Sequence, residues 1–198
     1  MSSGKQASGS TDLGRAEARA QDKKLIERAL AGDATAFEEI YERHRHAVYK
    51  VAYGMTRNAE DALDVVQDTF LKAHKSLARF ERRAALRTWL CQIAVHQGID
   101  LGRRKKVRRA DSLEDGLVPS GERGPRAEAR ERELKSALQE ALANLSEKHR
   151  TVFVLYTVKG LSYKEIAEAV GCSVGTVMSR LFYARKNLQG LLAQFAPR

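Results

Sequence analysis

Near the C-terminal end, residues 161–188 read LSYKEIAEAVGCSVGTVMSRLFYARKNL, and their side chains suit contact with a nucleic acid better than catalysis. Ser173, Thr176 and Ser179 are small hydroxyl donors, Arg180 is a forked cationic donor, and Lys164, Tyr183 and Lys186 add charge and a phenol. Such groups reach phosphate oxygens and base edges. Two other groupings invite chemistry. Asp61, Asp64 and Asp68 could be carboxylates of a metal-dependent nuclease or nucleotidyl-transferring enzyme, which needs converging ligands. They fall on a single predicted helix with no glycine-rich phosphate loop beside them, and a docking edge fits as well. Cys91 and Cys172, the only two cysteines, have neither disulfide-framework nor zinc-ligand spacing, and His96 has no second ligand at i+3 or i+4. No metal, cofactor or catalytic residue is expected.

The elements that position the C-terminal group can be read from its spacing. Ser162 and Glu165 have capping-box spacing, which starts a helix by satisfying two orphan backbone donors. Ile166, Ala167 and Val170 give that helix an apolar side, and Gly171 ends it through the left-handed conformation that glycine adopts without strain. Ser173 can cap a second helix, on which Val174, Val177, Leu181, Ala184 and Leu188 form one stripe. Thr176, Ser179, Phe182, Tyr183 and Lys186 then face away or flank it. Two short helices around a tight turn describe a helix-turn-helix with its second helix offered to the major groove. An ordinary helical hairpin buried in a core is the alternative; the hydroxyls and Arg180 favour DNA.

The chain has 198 residues and a formal net charge of +10, which points to a polyanionic partner, since clustered cations gain affinity by releasing counterions. No apolar run approaches the roughly 18 residues of a membrane span, and the N-terminus lacks a signal-peptide pattern, so a cytoplasmic protein without membrane insertion is expected. Residues 1–22 carry almost no large apolar side chains and predict a disordered tail. Helical periodicity begins near Lys23. It continues through a helix capped by Asp33, a third capped by Asn58 with Ala62, Val65, Val66, Thr69, Phe70 and Ala73 on one face, a looser segment around residues 76–85, and a fourth helix from Leu86 to about Lys105. Glycines, prolines and acids then mark a linker. Periodicity returns at about Glu131 and leads into the helix-turn-helix.

The runs AFEEIYERHRHAVYKVAYGMTRNAEDALDVVQDTFLKAHKSLARF, LRTWLCQIAVHQGID and LSYKEIAEAVGCSVGTVMSRL, in that order, resemble the extracytoplasmic-function sigma factors of bacterial RNA polymerase. The resemblance covers nearly everything from Lys23 to Gln189. It implies an all-α fold of two small helical domains joined by a flexible linker: a tail at 1–22, a region 2-like domain at 23–106, a linker at 107–130, and a region 4-like helix-turn-helix domain at 131–195. It further implies that the chain binds core polymerase and directs promoter-specific initiation. Asp61, Asp64, Gln67 and Asp68 would dock on the clamp helices of the largest subunit.

By the same resemblance, the segment from Arg79 to Arg104 would read and melt the minus-ten element. Arg79, Phe80, Arg82, Arg83, Gln92, His96, Arg103 and Arg104 supply the aromatic and cationic groups that an unstacked base and its phosphates require. Trp89 is assigned to packing. Lys164, Ser173, Thr176, Ser179, Arg180, Tyr183 and Lys186 would read the minus-thirty-five element, with the same module touching the polymerase flap. The acidic linker residues Asp111, Glu114, Asp115 and Glu122 suit a basic channel or a plain tether. An anti-sigma partner covering both modules is also implied. The chain departs from the family where Val95, His96 and Gln97 stand in place of a more arginine-rich stretch with an asparagine, and where Met178 and Tyr183 replace basic residues, which weakens phosphate grip. The rival reading is a two-module helix-turn-helix regulator that binds promoter DNA without joining the polymerase.

Overall fold

The computed structural model describes residues 7–82, 84–111, 126–158 and 161–192, and among these there is no strand. Eight α-helices follow in order: α1 Ala7–Leu30, α2 Ala34–Thr56, α3 Ala59–Ser76, α4 Leu86–Asp111, α5 Arg126–Ala143, α6 Glu147–Thr157, α7 Tyr163–Val170 and α8 Val174–Leu192, with a 3-10 turn at Leu77–Arg79 after α3. The tail expected over 1–22 is instead helical from Ala7 onward. The linker is also shorter than the expected 107–130, because α4 continues to Asp111 and α5 starts at Arg126. The side chains of Asp111, Glu114, Asp115 and Glu122 lie outside the described residues, as do residues 193–195 of the second module.

Local chemistry sets the helix ends. Gly32 takes φ +95° in the turn between α1 and α2, a region open to glycine. Asp33 caps α2, accepting from the Thr35 N–H at 3.0 Å and the Thr35 hydroxyl at 2.6 Å. The Thr35 side-chain bond, followed by that of Arg28, holds the Asp33 carboxyl down at about 2. Asn58 caps α3 by accepting from the Asp61 N–H at 3.0 Å. All six residues expected on the α3 apolar face, Ala62 through Ala73, are buried.

Helix α1 joins the bundle through a buried carboxylate. Asp22 Oδ1 lies 2.9 Å from Arg43 Nε and 3.1 Å from His44 Nε2 on α2. Polar groups taken out of water need such partners. This contact adds a polar anchor on the N-terminal side of the buried Leu25 and Ile26.

The two modules are packed on each other rather than merely tethered. A Cβ on Gly54 of α2 would lie 2.6 Å from Val154 Cγ2 of α6, so the missing side chain is what lets the helices meet. The Thr151 hydroxyl reaches Met55 Sδ at 3.9 Å, and Gln139 of α5 bonds the Tyr53 hydroxyl of α2. One apolar core therefore runs from Leu25 and Ile40 through Val152 and Ile166 to Leu181. A smaller cluster of Ala141, Leu142, Leu145, Ala184 and Leu188 closes the far side of the second module.

Replacing Asp22 by alanine leaves Arg43 and His44 without their acceptor and is expected to destabilise the protein by about 2 kcal/mol. Chemical denaturation measures this. A loss below about 0.5 kcal/mol, the range of an ordinary surface change, would show that α1 is held by packing alone.

Candidate nucleic-acid interface

The helix-turn-helix is built as its spacing requires. Ser162 Oγ accepts from the Glu165 N–H at 3.2 Å, and Glu165 Oε2 accepts from the Ser162 N–H and hydroxyl at 2.8 Å each. Gly171 ends α7 at φ +65°. The turn residue Cys172 is half-buried with Arg180 Nη1 3.8 Å from its sulfur, whereas Cys91 is fully buried and burial pushes its thiol up to about 12. A thiol so shifted is not a nucleophile at neutral pH.

On α8, Val177, Leu181, Ala184 and Leu188 are buried, but Val174 is 41% exposed. It stands at the first position of the helix, beyond the end of the surface its stripe covers. The hydroxyls are partly spent within the helix. Ser173 Oγ accepts from the Thr176 N–H at 3.1 Å and bonds Thr176 Oγ1 at 2.9 Å, while Ser179 Oγ donates to the Thr176 carbonyl at 3.0 Å. Lys164, Tyr183 and Lys186 are exposed and Arg180 is half-buried. Phe182, expected to face away from or flank the stripe, is 63% exposed, and with Val174 and Met178 it forms an exposed apolar line that sequence reasoning did not assemble. Its i, i+4, i+8 spacing was visible beside the buried stripe.

The residues expected at the minus-ten element fall into three places. Phe80 packs its ring against Trp89 at 4.8 Å between centroids and, with Arg82, borders a cavity of about 200 Å³ that Arg19, Lys23 and Ile26 of α1 complete. Arg82 adopts the left-handed conformation, φ +57°, and pairs with Glu27 at 3.2 Å. Arg79 is exposed nearby, and Arg83 lies outside the described residues. Gln92, His96 and Arg103 share one stripe of α4 that faces the second module: Gln92 and His96 line a cleft of about 330 Å³ with Glu147, Gly171 and Arg180, and Arg103 lies 3.7 Å from Glu147. Arg104 points instead toward α3. Gln92 and Arg103 are thus about 17 Å apart along α4 at 1.5 Å per residue.

Helix α3 carries the acidic edge. Asp64, Gln67 and Asp68 are exposed and line one hollow with Leu101 and Arg104. Asp61 is set apart from them, because Lys105 Nζ bonds both of its oxygens, at 2.5 and 2.6 Å, and ties the end of α4 to the start of α3. Asp61 is therefore a positioning group and not a free contact. Leu63 and Leu71, 59% and 52% exposed, flank Gln67 one turn to either side. Large apolar residues off the buried stripe were the signal for them. Among the described residues no three His, Cys, Asp or Glu side chains are placed to hold a metal ion, and no helix is long and apolar enough to cross a membrane.

Two family models match the chain, "Sigma-70 region 2" over residues 40–108 and "Sigma-70, region 4" over residues 135–188. The chain is similar to the RNA polymerase sigma-H factor of Pseudomonas aeruginosa, 34% identical with 88% of this chain and 97% of that protein covered. It is similar also to the ECF RNA polymerase sigma factor SigM of Mycobacterium tuberculosis, 34% identical with 86% and 84% covered, and to the ECF RNA polymerase sigma-E factor of Haemophilus influenzae, 35% identical with 85% and 93% covered. Among solved structures, CnrH in complex with the cytosolic domain of CnrY superposes with TM-score 0.68 and 28% identity over 89% of this chain and 99% of that one. RpoE in complex with the anti-sigma factor NepR from Bartonella quintana gives TM-score 0.62 and 27% identity over 79% and 96%.

The Glu165 carboxylate predicts the acid sensitivity of this site. Burial acts to raise its pKa, but the Ser162 N–H, the Ser162 hydroxyl and Arg19 outweigh it and hold the group below its ordinary 4.5. A folded-state value below the unfolded one stabilises the protein above the unfolded value, and that contribution is lost as pH falls through the folded value. Glu165→Gln is therefore expected to cost about 1 kcal/mol at neutral pH and to flatten the fall of stability below pH 4.5. Denaturation curves across that range decide it, and an unchanged acid limb would refute the assignment.

Proposed function

We propose, since the chain belongs to the extracytoplasmic-function group of the sigma-70 family of RNA polymerase sigma factors, that it binds core RNA polymerase and gives it promoter specificity. The observation that carries this reading is the division of labour between separate faces. An exposed edge of Asp64, Gln67 and Asp68 on α3, with Leu63 and Leu71 beside it, is available to a protein partner. Apart from Arg104, which borders the same hollow, the cationic and hydroxyl groups assigned to DNA lie elsewhere, on the segment before α4, on α4, α7 and α8. The α3 edge docks on the clamp helices of the largest polymerase subunit. There the leucines supply desolvated area, while the carboxylates set orientation and association rate.

Promoter recognition uses the other faces. Phe80 and Arg82 border a cavity large enough to hold a base taken out of the stack, and Gln92, His96 and Arg103 follow the strand along α4. Helix α8 enters the major groove at the minus-thirty-five element. Arg180 supplies the forked donor suited to guanine or phosphate, Met178 and Phe182 supply apolar contact to base edges, and Lys164, Tyr183 and Lys186 hold phosphates. The reading assigns no catalytic step to this chain. Solved relatives are recorded with a cytosolic CnrY domain and with the anti-sigma factor NepR, and a partner of that kind is proposed here.

Run-off transcription with bacterial core polymerase and a promoter library tests the assignment. A promoter-dependent product is expected, and tight sequence-specific binding by the isolated protein, with no product from any template, would favour a stand-alone regulator. Asp64→Lys is expected to weaken core binding at least tenfold by reversing a charge at the contact, with helix content unchanged. Retained affinity in an anisotropy titration would overturn that role. Arg180→Ala is expected to cost about 1–3 kcal/mol at the upstream element while core binding stays constant.

A further inference from the structure

We propose that helix α8 reads the upstream element through the 5-methyl groups of thymine, with Met178 and Phe182 as the residues that select them. The inference rests on the promoter-recognition reading just given and names the base which that reading leaves open. The polar groups expected to read bases have prior uses. Ser173 and Thr176 are engaged in capping, and the Ser179 hydroxyl donates to the Thr176 carbonyl at 3.0 Å. Arg180 is half-buried with Nη1 3.8 Å from the Cys172 sulfur. Residues two apart on a helix do not share a face, so Arg180 works on one flank of α8 and Met178 on the other.

What α8 offers on that other flank is apolar. Val174, Met178 and Phe182 are all exposed and follow one another at i+4 spacing, so at 1.5 Å per residue they span about 12 Å. That length matches three to four base pairs at about 3.4 Å each, roughly one side chain for every second step. Single exposed apolar residues are ordinary, whereas three in line mark a contact surface. The line is also braced. The Phe182 ring meets Tyr183 edge-on with centroids 5.6 Å apart, and Tyr183 lies 6.1 Å from His149 of α6. A ring held in this way loses little freedom on binding, and unbranched Met178 adapts to the step beside it.

The charges around the line identify its occupant. Lys164, Arg185 and Lys186 are exposed, Arg185 lying 4.5 Å above the Tyr156 ring, and α8 carries no acidic residue. A cationic rim without acids complements the phosphates that flank a major groove. Within the groove the thymine methyl is the apolar group that a base edge presents. Phe182 and Met178 supply no strong donor or acceptor, so a G·C pair beneath them would lose water from its polar edge without replacement.

Exchange of thymine for uracil tests the proposal, because uracil lacks only the methyl. The promoter library with core polymerase supplies a used template, whose upstream element is expected to hold A·T pairs about two steps apart. Templates with deoxyuracil in that element alone are compared with it by the holoenzyme concentration that half-saturates run-off transcription. Each contacted methyl lost should raise that concentration about fourfold. Met178→Ala and Phe182→Ala should each cancel the effect at one thymine and keep it at the other. A methyl effect that survives intact in both variants would overturn the proposal. Equal use of thymine and uracil templates by the unaltered protein would also overturn it, and a fall in core affinity of the two variants would then assign the line to a polymerase surface. A protein silent on every template would instead overturn the sigma-factor reading. Anisotropy of fluorescent poly(dA·dT) and poly(dA·dU) duplexes with the full chain would then decide the methyl contact, weaker binding to the uracil duplex supporting it and equal binding refuting it.

Discussion

A single absent side chain determines how this chain is assembled. Helix α2 lies at the centre, with α1, α3 and α4 around it, and at Gly54 it offers a notch that Val154 of α6 enters. Any larger residue would separate the helices by the thickness of its side chain and break the continuity of the apolar core from Ile40 to Ile166. Close-packed interiors tolerate such displacement poorly. What would otherwise be two small helical bodies, each with a modest core, becomes one. The gain matters because small domains bury a smaller fraction of their surface.

The charge distribution follows from the same assembly. With a net charge of +10, the chain repels itself wherever its cations cluster, and many of its acids serve as internal counter-charges. Asp22, Asp33, Asp61 and Glu165 each hold a cation or cap a helix. Asp64 and Asp68 are exposed on α3. Internal pairing thus separates structural acids from acids offered to a partner, a distinction that formal charge alone does not make.

Local signals were well expressed in the sequence. The Ser162–Glu165 box, the left-handed Gly171, the caps at Asp33 and Asn58 and the buried face of α3 all appear where residue types and period 3.6 place them. Non-local facts were not legible. Gly54 reads as a weak residue inside an apolar-periodic helix, and nothing near it in the chain points to Val154. Helix α1 reaches back to Ala7 although its early residues lack a stripe, and its contact with the distant pair Arg43 and His44 is not legible from its own residues. The candidate site was legible in composition and less so in geometry. Period 3.6 distributes Gln92, His96 and Arg103 to one face of α4 and Arg104 to another. Hydroxyls at Ser173 and Thr176 suited DNA by type, yet capping is their first use.

The two oxygens of Glu165 have different duties. Oε2 closes the capping box within α7, whereas Oε1 reaches out to Arg19 and Thr88. The start of α7 is therefore fixed within its own helix and does not depend on the contacts with Arg19 and Thr88, so the two helices of the turn are ordered without the entropy cost of a segment that folds on contact.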